Sequence, residues 1–469
     1  LALNERVNRA AWLLRDLGVG RGERVAILSE NRPEYIELQL ACAMVGAAIA
    51  CQNTRLTPSE LRHCIDLVEP RATMVSERKQ DMWNHSGSTG GEILMLGEEY
   101  EERLAKASPL EPEPAADPED GLPILYTSGT TGLPKGAVIS QRAELARCMV
   151  MCADLMMARL TDTHVVWSTL YHMIGAETAF GTLLCGGMVV LVDCWQPDEI
   201  AHHIAHEPIG YLALVPGTIE SLIVSLEKQH IRPARVGLCG AMADLVSPGL
   251  IARITQMLGA PYWNSFGSTE IGIPPASAGV IPVGRIPAQL SKRQNSFCEV
   301  RLVHADGREV QSGTLGELLF RGPTLFSGYW NAPEVNELDF RDGWFHMGDI
   351  VLRNQDGTLD FVDRVKYLIK SGGENVYPAE IERVLLHDAR VIAAVVMWRK
   401  DSKWGEVPVA VDEHQDQSLT TEDLLQCCRS VLAGYKHPKE IVFVLPGQLP
   451  RSITGKIQRH QIEAWLNTT

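Results

Sequence analysis

The chain has no stretch approaching the roughly 18 uninterrupted apolar residues of a membrane span; the nearest is the short run LACAMVGAAIA, residues 40–50. An excess of basic charge is also missing. Against 58 acidic residues stand 43 basic ones, a net charge of -15, which opposes polyanions, so neither nucleic acid nor an anionic membrane is an expected partner. Any phosphate ligand must then be gripped locally. No CxxC pair occurs among the 11 cysteines, an odd and scattered set in which Cys427 and Cys428 are merely adjacent and Cys148 and Cys152 fit one helix face. This excludes a disulfide framework and points to reduced thiols in a cytoplasmic protein. Internal repeats and low-complexity blocks are absent as well.

What is present is an ordinary globular composition, 45% hydrophobic and 22% charged over 469 residues. That is ample for a core and too long for one compact unit, so two or more domains are expected. The chain opens at Leu1, without methionine and already inside a helical pattern (LALNERVNRAAWLLRDLG), so a native segment is expected to precede it. Strand-like and amphipathic runs then alternate, as in ERVAILSE (23–30), PEYIELQLACAMVG (33–46) and AAIACQ (47–52). Such βα alternation predicts sheets covered by helices. The Pro- and acid-rich segment AKASPLEPEPAADPED (105–120) reads as an exposed connector. Beyond Gly343 a hairpin with a DGT turn (356–358) runs into a charged stretch, and a new β/α pattern follows. The expected division is a large α/β domain over 1–363, a hinge at 364–367 and a small α+β domain over 368–469.

After the apolar run GLPILYT comes YTSGTTGLPKG (126–136), and then a second strand-like run, GAVIS. The strip supplies close-approaching glycine amides, the hydroxyls of Thr127, Ser128, Thr130 and Thr131, and the charge of Lys135. Consecutive amides in a turn form an anion nest suited to phosphate. On composition alone a mobile surface loop explains it equally well. It is not a Walker A loop, because Lys135 lies between Pro134 and Gly136 and no helix follows. Further on, NSFGSTE (264–270) offers Glu270 for Mg²⁺, Thr269 for a phosphate and the Phe266 ring for a base. GWFHMGD (343–349) ends in Asp349, which can accept two ribose hydroxyls, and PRSITGKIQR (450–459) sets Lys456 after a Thr-Gly turn. Two decoys fail: GVGRG (18–22) precedes a strand instead of following one, and His202, His203 and His206 read as a solvated helix, not a zinc site.

In this order and over this length, the motifs resemble the adenylate-forming superfamily of acyl-CoA synthetases, nonribosomal adenylation domains and beetle luciferases. YTSGTTGLPKG and SGGENVYPAEIE (371–382) are its most specific features. The resemblance implies that Thr127, Ser128, Gly129, Thr130, Thr131, Gly132 and Lys135 hold the ATP phosphates, and that Gly240, Ala241 and Met242 with Phe266 line the adenine site. It assigns Thr269 to the α-phosphate, Glu270 to magnesium, and Asp349 with Arg364 to the ribose. His172 would gate the acyl pocket, Lys366 would be the pivot, and Lys456 would reach the reacting carboxylate and α-phosphate. Gly372 and Gly373 belong to the face needed for thioester formation. The family usually has Pro, Tyr and Thr where Thr169, Phe266 and Met347 stand, and its segment after Glu270 is longer.

The activity so implied is an acid–CoA ligase that forms an acyl-adenylate and then a thioester, with ATP, Mg²⁺ and coenzyme A as cofactors. TLYHMIGAE lacks the Asp that pairs an α-ammonium in amino-acid-activating relatives, and the chain runs 13 residues past Lys456. The expected substrate is therefore a hydrophobic fatty or aryl acid, and the expected acceptor a diffusing thiol. Loading of a separate carrier protein stays open. So do a catalytically silent nucleotide-binding protein, against which Lys456 speaks, and a phosphotransferase, which would release ADP where a ligase releases AMP. The partners implied are acid, ATP and CoA, with a homodimer allowed.

Overall fold

A computed structural model describes residues 2–128, 133–155, 162–215, 217–372, 374–414, 416, 418–451 and 457–466. The first sheet has seven strands, in the order 328–329, 134–140, 121–128, 48–51, 24–28, 72–76 and 92–96. Its inner strands run parallel, as expected where each is followed by a covering helix. Pro33 opens one such helix, Pro33–Val45, where a missing N–H costs nothing, and Gly46 closes it in the left-handed region at φ 74°. Ala11, Leu14, Leu38, Ile49 and Met74 seal the core between helices and sheet.

A second sheet, in the order 280–281, 262–263, 235–239, 208–212, 163–166 and 188–191, is again parallel except at its first strand. Its core gathers Ile209, Leu212, Leu222, Ile254 and Tyr262. A third, antiparallel sheet holds the hairpin expected around the DGT turn, Trp344–Arg353 paired with Leu359–Arg364. Beyond a single 3-10 turn at Val365–Tyr367 the chain builds a separate five-stranded sheet with its own core of Ile369, Ile381, Val396 and Leu424. The fold is thus α/β, a large N-terminal domain and a small C-terminal one.

The segment predicted as an exposed connector is largely exposed and is fastened to the first helix. Asn8, Trp12 and Arg15, on the first helix, donate to the carbonyls of Pro109, Leu110 and Glu113 at 2.9, 2.8 and 2.7 Å. These bonds satisfy backbone groups that no secondary structure covers.

Candidate active site

The ends of the YTSGTTGLPKG strip lie on two antiparallel strands, Gly121–Ser128 and Pro134–Ser140, with Thr127 opposite Lys135. Gly129, Thr130, Thr131, Gly132 and the Ser128 side chain lie outside the described residues. Lys135 is the second residue of the second strand. Its Nζ stands 4.8 Å from the centre of the Tyr329 ring, a cation–π distance. Tyr329 is held there because Gly328–Tyr329 pairs with Ala137–Val138 at the sheet edge.

From Tyr329 the contacts run on to the next candidate. Its hydroxyl donates to Glu270 Oε1 at 2.7 Å, and the main chain of Glu270 is fixed as well, its carbonyl accepting from Phe326 N at 2.8 Å. Asp339 adds a second carboxyl: burial pushes its pKa up, the nearby Lys135 charge opposes that rise, and Glu270 adds to it. Burial and the Glu270 charge likewise hold the Tyr329 phenol well above its usual range. Among the described residues no group of three His, Cys, Asp or Glu side chains could hold a metal. One or two carboxylates, with phosphate oxygens and water completing the octahedron, are what Mg²⁺ on a nucleotide requires. Glu270 supplies one such carboxylate, and Asp339 feels its charge.

Asp349 lies buried on the Trp344–Arg353 strand, directly opposite Arg364 in the ladder, and Arg364 Nε approaches its Oδ1 at 2.8 Å. The Arg364 guanidinium is raised above its ordinary pKa first by Asp349 and also by Glu270. The corner assigned to ribose and the corner assigned to magnesium thus share one field.

The turn after the Arg235–Cys239 strand carries the adenine candidates. Gly240 sits at φ 89°, where a Cβ would run into the Tyr262 ring, so only glycine suits this position. Tyr211 Oη donates to the Gly240 carbonyl at 3.0 Å and Tyr262 Oη to that of Ala241 at 2.9 Å. Met242 takes up a left-handed backbone at φ 52° and donates its N–H to Ser265 Oγ at 3.0 Å. Phe266 packs 5.1 Å from Phe361, on the strand that bears Arg364. Base and ribose candidates therefore adjoin.

His172 caps the Met173–Leu184 helix, its Nδ1 accepting from Ile174 N at 3.4 Å. The loop before it is held by buried Asn31, which donates to Ser168 O and accepts from Leu170 N, both at 2.9 Å. Met347 fills the core of the large domain. In the small domain Gly372 adopts φ 61° and donates its N–H to Trp404 O at 2.8 Å. Gly373 and Lys456 lie outside the described residues, as does the side chain of Lys366. The His202 and His206 ring centres lie 4.3 Å apart, tilted by 36°, and His203 pairs with Glu207 at 2.8 Å on their helix, with no metal cluster among the described residues. Sequence reasoning missed Tyr329 and Asp339; the glycine-aromatic pattern of SGYWN, akin to that of NSFGSTE, is the signal that marks Tyr329.

Residues 2–330 match the AMP-binding enzyme family and residues 380–456 match the AMP-binding enzyme C-terminal domain. The chain belongs to the AMP-binding enzyme family. A feruloyl-CoA synthase from an Amycolatopsis species is 32% identical, aligning 98% of this chain with 92% of that protein. An indoleacetate–CoA ligase from Aromatoleum aromaticum is also 32% identical, over 97% and 91%. Among solved structures, the o-succinylbenzoate CoA synthetase of Bacillus subtilis, in complex with its acyl-adenylate intermediate, is similar with a TM-score of 0.84. That likeness covers 98% of this chain and 92% of the other at 26% identity. This AMP-binding enzyme is an AMP-forming acyl-CoA synthetase. No helix among its described residues is long and apolar enough to cross a membrane.

Proposed function

We propose that the protein joins a hydrophobic carboxylic acid, an aryl acid before a fatty one, to coenzyme A through an acyl-adenylate. One observation carries the reading: Lys135, Tyr329, Glu270, Arg364 and Asp349, drawn from five separate segments, form a single chain of contacts and fields. The aryl preference rests on the feruloyl, indoleacetate and succinylbenzoate relatives.

In the first step a carboxylate oxygen attacks the α-phosphorus of ATP; the new O–P bond forms as the bond to pyrophosphate breaks. In the second the CoA thiol, losing its proton, adds to the acyl carbonyl and AMP leaves with the electron pair of the mixed anhydride. Lys135 and the strip of hydroxyls and glycines hold the β- and γ-phosphates. Thr269 meets the α-phosphate, Asp349 accepts the ribose hydroxyls, and Arg364 keeps that carboxylate aimed. Bound through Glu270, Mg²⁺ would neutralise phosphate charge. His172 borders the acyl pocket. Little covalent work falls to the protein, so positioning and charge stabilisation supply the rate.

Lys456 brings its cation from the small domain to the reacting carboxylate and α-phosphate. We assign the domains to 1–363 and 368–469, with residues 364–367 as the hinge and Lys366 as the pivot, so that the small domain turns from Lys456 to the Gly372–Gly373 face between steps. Pyrophosphate release, measured with a panel of hydroxycinnamic, indolyl, succinylbenzoic and straight-chain acids, tests the reading. AMP and pyrophosphate should appear in equal amounts, fastest with an aryl acid. ADP as product, or turnover that requires a carrier protein in place of CoA, would overturn it.

A further inference from the structure

A wholly buried arginine stands behind the candidate site. Arg147, on the Gln141–Leu155 helix, has no exposed side-chain surface and spends its guanidinium on three separate parts of the fold. Nη1 pairs with Glu177 Oε1 at 2.7 Å, Nη2 donates to the Thr269 carbonyl at 3.1 Å, and Nε donates to the Thr324 carbonyl at 2.9 Å. Glu177 lies on the helix that His172 caps. Thr324 lies two residues before Phe326, whose N–H holds the Glu270 carbonyl. The carbonyls of Thr269 and Glu270, in two successive peptides, are therefore each held in place. Gly272, at φ 76°, lets the arginine stem pass beneath this loop; a Cβ there would come 2.9 Å from Arg147 Cγ.

Burying a guanidinium is costly unless it is paired and its donors are used. A surface loop needs no such anchor, because water satisfies its carbonyls. The arrangement makes sense where one peptide must not drift, since misplacement of about 1 Å near reacting atoms lowers a rate by roughly 10². We propose that Arg147 is a positioning residue for adenylation: it fixes Thr269 and Glu270 relative to the His172 helix, making the phosphate corner and the acyl side one rigid unit. This rests on the reading that Thr269 and Glu270 serve ATP.

The test uses the full-length enzyme and follows acid-dependent ATP–pyrophosphate exchange alongside thioester formation from a supplied acyl-adenylate. Arg147→Lys keeps the charge but cannot reach in three directions, and should lower the exchange kcat at least 10-fold while KM for coenzyme A stays within 2-fold. The double variant Arg147→Met with Glu177→Gln removes the buried ion pair and should keep the native melting temperature within a few degrees. It should still lose exchange at least 10-fold. Either variant exchanging within 2-fold of the native rate overturns the proposal, as does equal loss in both half-reactions. A Thr269→Ala control separates the two readings: if it leaves exchange intact, the role assigned to Thr269 has failed, whereas its loss beside an active Arg147→Lys sinks only the role of Arg147.

Discussion

Two arginines, one wholly buried in the large domain and one partly buried in the small, organise different kinds of structure. Arg147 is sealed inside the large domain, and its partners all belong there. Arg459 begins the last described helix of the small domain, bonding Glu382 at 2.5 Å and the Val396 carbonyl at 2.7 Å. Its guanidinium also stands 4.7 Å from the Tyr367 ring, on the turn assigned to the hinge. Asp363, just before that turn, accepts the N–H of Ala379 at 2.8 Å and feels the Arg459 charge. The first cluster holds the carbonyl of Thr269, a candidate site residue; the second ties the small domain to the assigned hinge and, through the Ala379–Asp363 bond, to the last residue before it. A fixed half and a turning half can thus be built from the same chemistry.

The comparison breaks most visibly at Lys456, three residues before Arg459 in the half proposed to turn. Lys456→Ala should lower adenylation by about 10² or more, the usual scale for losing one charge-stabilising donor. Thioester formation from a supplied acyl-adenylate should remain near native. Equal loss in both half-reactions would mean that the small domain does not alternate. On the fixed half, Tyr329→Phe removes the hydroxyl that donates to Glu270. Hydrogen bonds to charged groups contribute about 1.5–3 kcal/mol, so exchange should fall roughly 10-fold, with more Mg²⁺ needed for half-maximal rate. An unchanged Mg²⁺ dependence would show that Glu270 needs no such brace.

Much of the fixed half was legible in sequence. The βα alternation, the two strands that flank the strip and the hairpin bearing Asp349 are local patterns, set by periodicity and turn chemistry over a few residues. The brace and clamp were not. Tyr329 meets Glu270 across 59 residues, and Arg147 meets Thr269 and Thr324 across 122 and 177. An arginine on a helix ordinarily points to solvent, so nothing local distinguishes Arg147 from its exposed neighbour Arg142. The fold alone turns that face inward.

The smallest effect separates the halves by pH. Glu144, one turn before Arg147, is pushed up to about 8 by burial and by Glu177, against the pull of Arg147. In the small domain Asp412 is buried on the Gly405–His414 strand and pushed up to about 7 by burial and by Glu382. Each carboxyl binds its proton more tightly folded than unfolded. The stability each contributes is therefore fully present below the ordinary carboxylate range and is lost as pH rises through its folded value. Between pH 5 and 8 the melting temperature should fall, both declines starting together, the small domain's levelling off near pH 7 and the large domain's near pH 8. Residue-resolved hydrogen exchange across that range should show the order. Asp412→Asn should flatten the small domain's decline and Glu144→Gln the large domain's, because an amide has no proton to lose. A melting temperature that rises over this interval, or a decline that survives both substitutions, would mean that these carboxyls do not set the pH response and that the two halves are not separately poised.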